Sequence, residues 1–457
     1  MDLNNFLDLK NESKNIGNEM YQLTKEFFPI CRSITGDGVR ETLEIIKKHI
    51  PIETHEIPTG TKVFDWTIPK EWNIKDAYVK NSKGEKVIDF KKSNLHILNY
   101  STPINRKVSL KELKKHIFTL PEYPKWIPYR TSYYKEDWGF CMAYDQFKEL
   151  IDEEYHVVIS STLKEGHLTF GEFFLKGESK EEILLSCYVC HPSMCNDNLS
   201  GVSLITYLAK YLSNKKLKYS YRFLFIPETI GAITWLSINE KKVSKIRGGL
   251  VATCLGDKGS ITYKKTRNGN SIIDRVVEMV LNKSTDKFNI IDFFPAGSDE
   301  RQFSSPGFNL PIGSITRTLY GKFPEYHTSA DNLDFVQPKY FQDTFEKYLM
   351  VISELENHFE EADVSRKEII KKNEKKKGPI YKNIYPKCEP NLGKRGLYDL
   401  VGANKDGMEN KMPIFWVLNL SDGENSLSDI SQRSKIKLEE IEVAAERLVK
   451  SGLIHLI

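Results

Sequence analysis

Four side chains in this sequence have the types and placement that metal-assisted hydrolysis needs: His191, Asp197, Glu228 and His327. Two imidazoles and one carboxylate suit zinc, and a catalytic zinc commonly takes three protein ligands and leaves its fourth position to water. His191, Asp197 and His327 are the expected ligands. A carboxylate beside that water can take its proton, and Glu228, which follows Pro227, is the expected base. Each residue alone is ordinary, since histidine is often half-buried for structural reasons. The reading rests on where the surrounding elements would put all four.

His191 and Asp197 sit in the stretch Leu184 to Gly201. Ile183 to Val189 is an apolar run with the length and content of a buried strand. Pro192 ends the strand pairing, a polar loop holds Asp197 and Asn198, and Val202 to Leu212 has helical apolar spacing. Tyr221 to Ile226 is the next strand and ends at Pro227-Glu228, with a helix through Ala232 to Asn239. His327 lies in a polar loop, Pro324 to Asp334, ahead of a long helix that starts at Pro338. Strands at 156–163, 167–176, 248–255 and 312–316 and a helix at 271–282 complete the alternation. Strands alternating with helices predict an α/β fold with a mixed, mainly parallel sheet flanked by helices. In such sheets ligands bind beyond the carboxyl ends of the strands.

The chain has 457 residues, enough for two or three domains. A hydrophobic share of 40%, a charged share of 28% and a formal net charge of +4 are ordinary for a soluble chain and give no reason to expect a polyanion or membrane partner. Residues 1–10 are acidic and polar and do not read as a signal peptide. No apolar run approaches the ~18 residues of a membrane span, so a cytoplasmic protein is expected. The seven cysteines, an odd number, argue against a disulfide framework. Cys187, Cys190 and Cys195 cluster around His191 in sequence, but Cys187 and Cys190, three residues apart on a strand, point to opposite faces, and no second pair completes a zinc ribbon.

The remaining chain divides by texture. Residues 1–57 and 134–362 are expected to form the α/β domain, 58–133 an inserted β-rich module, 363–377 a charged linker or helix end, and 378–457 a winged-helix-like domain. Thr35 to Gly38 reads as a helix–helix turn, with Arg32 and Arg40 near enough in sequence to reach an anionic group. The module ends in the segment Leu120 to Lys135, dense in aromatics and prolines, which fits either a binding surface or an interdomain seam. Arg130 and Tyr133 are its candidate substrate contacts, since Arg and Tyr are frequent contact residues. Basic and acidic side chains balance in 378–457, and the expected recognition helix carries Glu439, Glu440, Glu442 and Glu446. Carboxylates facing phosphate repel, which argues against DNA as partner and leaves protein contact or homo-oligomerisation for this domain.

These motifs resemble those of the M28-type zinc aminopeptidases. Residues His191-Pro-Ser193, Asp197-Asn-Leu-Ser-Gly201, Glu228-Thr-Ile-Gly231, Ser298-Asp299 and Tyr326-His-Thr-Ser-Ala-Asp331 follow that family's order from about 155 to 360. More closely, the chain looks like the aminopeptidase-like proteins of bacterial polysaccharide-biosynthesis loci, through Arg32-Ser-Ile-Thr-Gly36, Val63-Phe-Asp-Trp66 and Pro128-Tyr-Arg-Thr-Ser-Tyr-Tyr134. That resemblance implies an aminopeptidase-like domain, an inserted β module and a C-terminal winged helix. It also implies a hydrolase for an amide bond in a small peptide or an N-acylated amino sugar, with His191, Asp197 and His327 as metal ligands and Glu228 as base. Two metals are usual in the family. Here Thr229 stands for a second-metal Glu, Ser193 for an orienting Asp, and no carboxylate stands at 253–256. One zinc per chain is therefore expected. Tyr326 or Arg317 is expected to stabilise the oxyanion, and Asp299 and Glu300 to hold a substrate amine. The missing residues also leave open a non-catalytic zinc- or sugar-binding protein, and the winged helix a regulator.

Overall fold

A computed structural model describes residues 15–133, 135–358, 378–398 and 411–457. The expected charged linker at 363–377 and the N-terminal stretch 1–10 lie outside the described residues. The chain begins with helices α1 (Ile16–Phe27) and α2 (Asp37–Lys47) and strand β1 (Glu53–Pro58). Met20, Leu23 and Phe27 recur at helical spacing and are buried, each contributing about 1.5–3 kcal/mol by leaving water. Strands β2 (Glu71–Lys80), β3 (Lys86–Asp89), β4 (Ile104–Ser109), β5 (Glu154–Lys164), β6 (His167–Leu175) and β7 (Glu182–Tyr188) follow. Next come α3 (Ser200–Leu212), β8 (Ser220–Ile226), α4 (Ile230–Asn239), β9 (Ile246–Ala252), β10 (Ile261–Lys264), α5 (Ile272–Asn282), β11 (Phe288–Ile291), β12 (Ile312–Thr316) and the long α6 (Pro338–Asn357).

Eight of these strands form one sheet in the order β1-β6-β8-β7-β9-β12-β10-β11. Its centre, β8-β7-β9-β12, is parallel, while β1, β6 and β10 pair antiparallel with their inner neighbours. Both central strands β7 and β8 are buried at every residue, as a sheet covered on both faces requires. Side chains of β7 alternate between two cores. Ile183, Leu185 and Cys187 pack with α1, α2, α3, α5 and α6, and Leu184, Tyr188 and Cys190 pack with α4 and the β module. Cys187 and Cys190 thus lie on opposite faces, as expected from their spacing. Among the described residues no helix is long and apolar enough to cross a membrane.

The inserted module is a four-stranded antiparallel sheet, β3-β2-β5-β4. Strand β5 pairs along its length with β2 and β4. The small sheet therefore reaches well beyond residue 133, and a strand expected in the α/β domain belongs to it. Alternation reveals a strand but does not say which sheet receives it.

The last unit holds β13 (Ile380–Asn383), α7 (Met412–Leu420), β14 (Asp422–Ser426), α8 (Leu427–Ser434), α9 (Leu438–Lys450) and β15 (Ile454–Leu456), with β13 central in its three-stranded sheet. A Ser426–Asp429 capping box starts α8. Its core of Trp416, Leu420, Ile441 and Leu448 is continuous with Phe293 and Ala296 of the α/β domain. Arg267 adds hydrogen bonds to Asn419 Oδ1 (2.9 Å) and Asp422 Oδ2 (3.1 Å).

Candidate metal centre

The parallel centre of the sheet points its carboxyl ends at one crevice. His191 follows β7, Glu228 follows β8, and Thr253 and Cys254 follow β9. The loop between β7 and α3 is buried from Cys195 to Leu199, so its polar groups must find partners inside the protein. Asp331 supplies two, accepting from Asn196 N (2.6 Å) and Asp197 N (2.9 Å). Asn198 Nδ2 donates to Ala252 O at 2.9 Å. Gly201 allows α3 to start against β9, because a Cβ there would lie 2.3 Å from Ala252 O. Arg32 is fully buried and donates from Nε to His191 O at 2.8 Å. It fixes the backbone of a site residue and is not exposed to an anionic ligand; Arg40 likewise is paired with Asp37 and Glu71.

His327 arrives from the other side, on the loop between β12 and α6. Its φ is 56°, an uncommon conformation for a residue with a side chain. The β module holds it there. Tyr129 N donates to His327 O (2.8 Å), Ser329 N to Ile127 O (2.8 Å) and Ile127 N to Ser329 Oγ (3.0 Å). The segment expected to be either a binding surface or a seam is thus a brace for the site. Arg130 Nη1 donates to Tyr129 O (2.8 Å), and the Tyr133 hydroxyl lies 3.1 Å from that of Tyr129 and donates to Asn99 Oδ1 at 3.3 Å. Both expected substrate contacts are therefore occupied in bracing the segment.

His191, Asp197 and His327 come together with one ligand atom each, all within 4.8 Å of one another. Asp197 Oδ2 lies 3.4 Å from His191 Nδ1 and 3.0 Å from His327 Nε2. Zinc–ligand bonds of about 2.0–2.2 Å in a tetrahedron put ligand atoms about 3.3 Å apart, so these separations fit. Asp197 is fully buried, and among the described residues its Oδ2 makes no hydrogen bond of good geometry and faces only the two imidazole nitrogens. A buried carboxylate oxygen left without a donor is costly unless something else, such as a cation, satisfies it. Its Oδ1 is occupied: the Tyr188 hydroxyl donates to it and lies 2.6 Å from Thr253 Oγ1. Among the described residues no other group of three His, Cys, Asp or Glu has a metal-binding geometry.

The electrostatics follow from burial and mutual charge in the metal-free chain. Burial opposes the Asp197 carboxylate, but His191 and His327 outweigh it and hold its pKa well below the usual range. Burial likewise opposes the His191 imidazolium, yet Asp197 outweighs it and raises that pKa well above the ordinary value. Asp331 is pushed up to about 8, chiefly by burial. Three tyrosines wall the cluster. Tyr129 has its ring 5.3 Å from those of both His191 and His327, Tyr188 is 5.0 Å from His191, and Tyr326 stacks on His327 at 3.9 Å. Burial first, then nearby carboxylates, raise the phenol pKa of Tyr326 well above its usual value.

Glu228 is the exposed member, with 26% of its side chain accessible and Oε2 at 3.4 Å from His191 Nε2. Asp299 stands behind it, accepting from Thr229 N at 2.6 Å. Burial, then the charge of Glu228, raises the Asp299 pKa well above the carboxylate range. The other expected groups are engaged elsewhere. Arg317 donates to Asp343 (2.5 Å) and Gly259 O (2.8 Å) and lies over the Tyr340 ring. Glu300 is fully buried and paired with Lys264 at 2.8 Å, and Asp299 is fully buried too. Their placement supports neither an oxyanion role for Arg317 nor amine binding by Asp299 and Glu300. Their charge suggested function, but buried partners distant in sequence absorb it. Tyr188 is the residue that sequence reasoning missed, because it reads as one more apolar position in a buried strand. Asp331 was visible only as the last letter of the Tyr326-to-Asp331 motif.

Known proteins bear on this site and fold. Residues 21–358 match the family described as a domain of unknown function (DUF4910), and 379–456 match a winged helix-turn-helix family. A Clostridium acetobutylicum protein described as a "putative polysaccharide biosynthesis protein with aminopeptidase-like domain" is 54% identical over 97% of this chain and 98% of its own length. A crystal structure of a "putative peptidase" from Clostridium acetobutylicum is 52% identical, with a TM-score of 0.76 over 99% of this chain and 100% of its own. The zinc aminopeptidase BSAP from Bacillus subtilis, 12% identical, superposes with a TM-score of 0.55 over 75% of this chain and 94% of its own, a likeness of fold. The chain therefore belongs to the DUF4910 family of aminopeptidase-like proteins, with the zinc-aminopeptidase fold of the M28 type followed by a winged helix.

Proposed function

We propose that this protein is a zinc-dependent hydrolase of the aminopeptidase type, using one ion to cleave an amide bond in a small peptide or an N-acylated amino sugar. One observation carries the reading: a buried His191–Asp197–His327 cluster has a partly exposed carboxylate, Glu228, at its rim, 3.4 Å from His191. His191, Asp197 and His327 would hold the zinc, which when bound would supply Lewis acidity to a water and to the substrate carbonyl. Glu228 Oε2 takes the proton and returns it to the leaving nitrogen. Asp299 fixes the turn behind Glu228 by accepting from Thr229 N. Tyr326 keeps its phenolic proton and is the hydroxyl offered to the oxyanion. The polysaccharide-biosynthesis name of the clostridial relative favours an amino-sugar substrate, and a cytoplasmic location suits such a role.

A metal-dependent sugar-binding protein is the second reading, favoured by Thr229 and Thr253, which stand where carboxylates would complete a second metal site. Turnover separates the two. Zinc-loaded protein is assayed on aminoacyl and N-acetyl amino-sugar panels beside Glu228→Gln. The hydrolase reading expects a loss of at least 100-fold in kcat with zinc retained, in line with general-base contributions of about 10²–10⁴. No turnover in either protein favours the binding protein, whereas equal rates in both would remove Glu228 as the base.

A further inference from the structure

The turn that carries Glu228 is strained. Thr229 has φ 64° and ψ −73°, a genuine outlier for a β-branched residue, and such conformations cost about 1–3 kcal/mol and persist only where the surroundings fix them. Two contacts fix this one. Asp299 accepts from Thr229 N, and Arg301 Nη2 donates to Thr229 Oγ1 at 3.1 Å.

Arg301 is itself held from the C-terminal unit. Its Nη1 pairs with Glu389, with side chains only 10% and 11% exposed, and its guanidinium lies 5.8 Å from the Phe415 ring of α7. Glu389 is placed by its backbone, with N donating to Gln302 Oε1 (2.8 Å) and O accepting from Trp66 Nε1 of the module (2.8 Å). Cys388 N donates to Ser305 Oγ at 2.9 Å. All three structural units therefore meet at one residue, Glu389, whose carboxylate is separated from Thr229 of the Glu228 turn by a single side chain, Arg301. A buried ion pair is weak evidence for stability, since desolvation offsets its Coulomb gain. A positioning role better explains why this one meets a strained turn.

We infer that the winged-helix unit is a working part of the candidate active site, in which Glu389 is a positioning residue that holds Arg301 on Thr229 and so sets the Glu228 turn. This rests on the hydrolase reading for its consequence but not for its structural core. The experiment reads both. Glu389→Ala, and Thr229→Val, which removes the Arg301 acceptor while sparing the Glu389–Arg301 pair, are compared with the wild-type full chain. The readouts are zinc content, amide hydrogen exchange by mass spectrometry, and kcat and KM.

In both variants the 227–233 peptide exchanges at least tenfold faster, the 183–199 peptides exchange as before, and one zinc is retained. On a turned-over substrate kcat falls about tenfold and KM stays within twofold, whereas loss of a docking contact alone would leave kcat unchanged. Glu389→Asp, with its charge kept, recovers part of both effects. Unchanged exchange at 227–233 in folded variants overturns the inference, as does a rise spread evenly over the chain. If the wild type hydrolyses nothing while exchange responds as expected, the positioning link stands and the hydrolase reading falls.

Discussion

Replacing Tyr188 with Phe removes a single oxygen from the wall of the candidate metal centre. The Tyr188 hydroxyl donates to Asp197 Oδ1 and meets Thr253 Oγ1 at 2.6 Å, with the tyrosine almost fully buried. A hydrogen bond to a charged group contributes about 1.5–3 kcal/mol. The Thr253 hydroxyl keeps a second neighbour, Cys254 Sγ at 3.4 Å, so little further penalty is expected there. The hydroxyl holds the carboxylate so that Oδ2, not Oδ1, faces the two histidines. Expressed in zinc binding, about 1.5–3 kcal/mol is about 13–160-fold, which overlaps the 10–100-fold typical of losing a group that orients a metal ligand. Tyr188→Phe should therefore bind zinc roughly 10- to 100-fold more weakly in competition with a chromogenic chelator, still at one ion per chain. Affinity within twofold of the wild type would refute the orienting role and leave Tyr188 an ordinary core residue. A wild-type content of two zincs would refute the wider expectation that Thr229 and Thr253, standing where carboxylates would complete a second site, limit the chain to one ion.

The ligand set makes a simpler prediction. His191→Ala and His327→Ala should each bring bound zinc, measured by elemental analysis, from one per chain to near zero, because two ligands are too few for a stable site. The pH dependence of the metal-free protein follows from its shifted groups. His191 has a raised folded pKa, so its contribution to stability is complete below its unfolded pKa of about 6.5 and is lost as pH rises through the folded value. Asp331, at about 8 when folded, holds a proton that the unfolded chain has already released, so it also costs stability as pH rises toward 8. Urea denaturation in the presence of a chelator should show lower stability at pH 9 than at pH 6. Zinc, which needs His191 neutral, should bind more tightly over the same interval.

What the sequence made legible is what depends on local order. His191 and Asp197 stand six residues apart in one strand–loop–helix unit, and Glu228 ends the adjacent strand, so their meeting follows once the sheet is parallel. His327 was readable from its motif. The supports were not. Arg32, Tyr129 and Tyr188 act through hydroxyls, backbone or guanidinium groups that look like core or seam in a linear reading. Arg317 and Glu300 misled because charge near a motif is ambiguous until Asp343 and Lys264 are placed. Strand β5 was recognised as a strand but belongs with β2 and β4, since pairing partners are decided by closure of a sheet and not by alternation.

The winged helix shows how this ambiguity resolves in physical terms. Its fold suggests nucleic acid, but the helix expected to enter the groove, α9, carries Glu439, Glu440, Glu442 and Glu446, a charge pattern that argues against a phosphate backbone as partner. The unit is also not independent of the rest of the chain. Its apolar core runs into Phe293 and Ala296, Arg267 reaches across to Asn419 and Asp422, and Asp65 of the module pairs with Lys394 and Arg395. A domain that presents itself freely to a partner has no need of such a seam, whereas one that sets the walls of a neighbouring site must be held on several sides. The half-buried Glu389 within that seam, through Arg301 and Thr229, links the unit to the turn that carries Glu228.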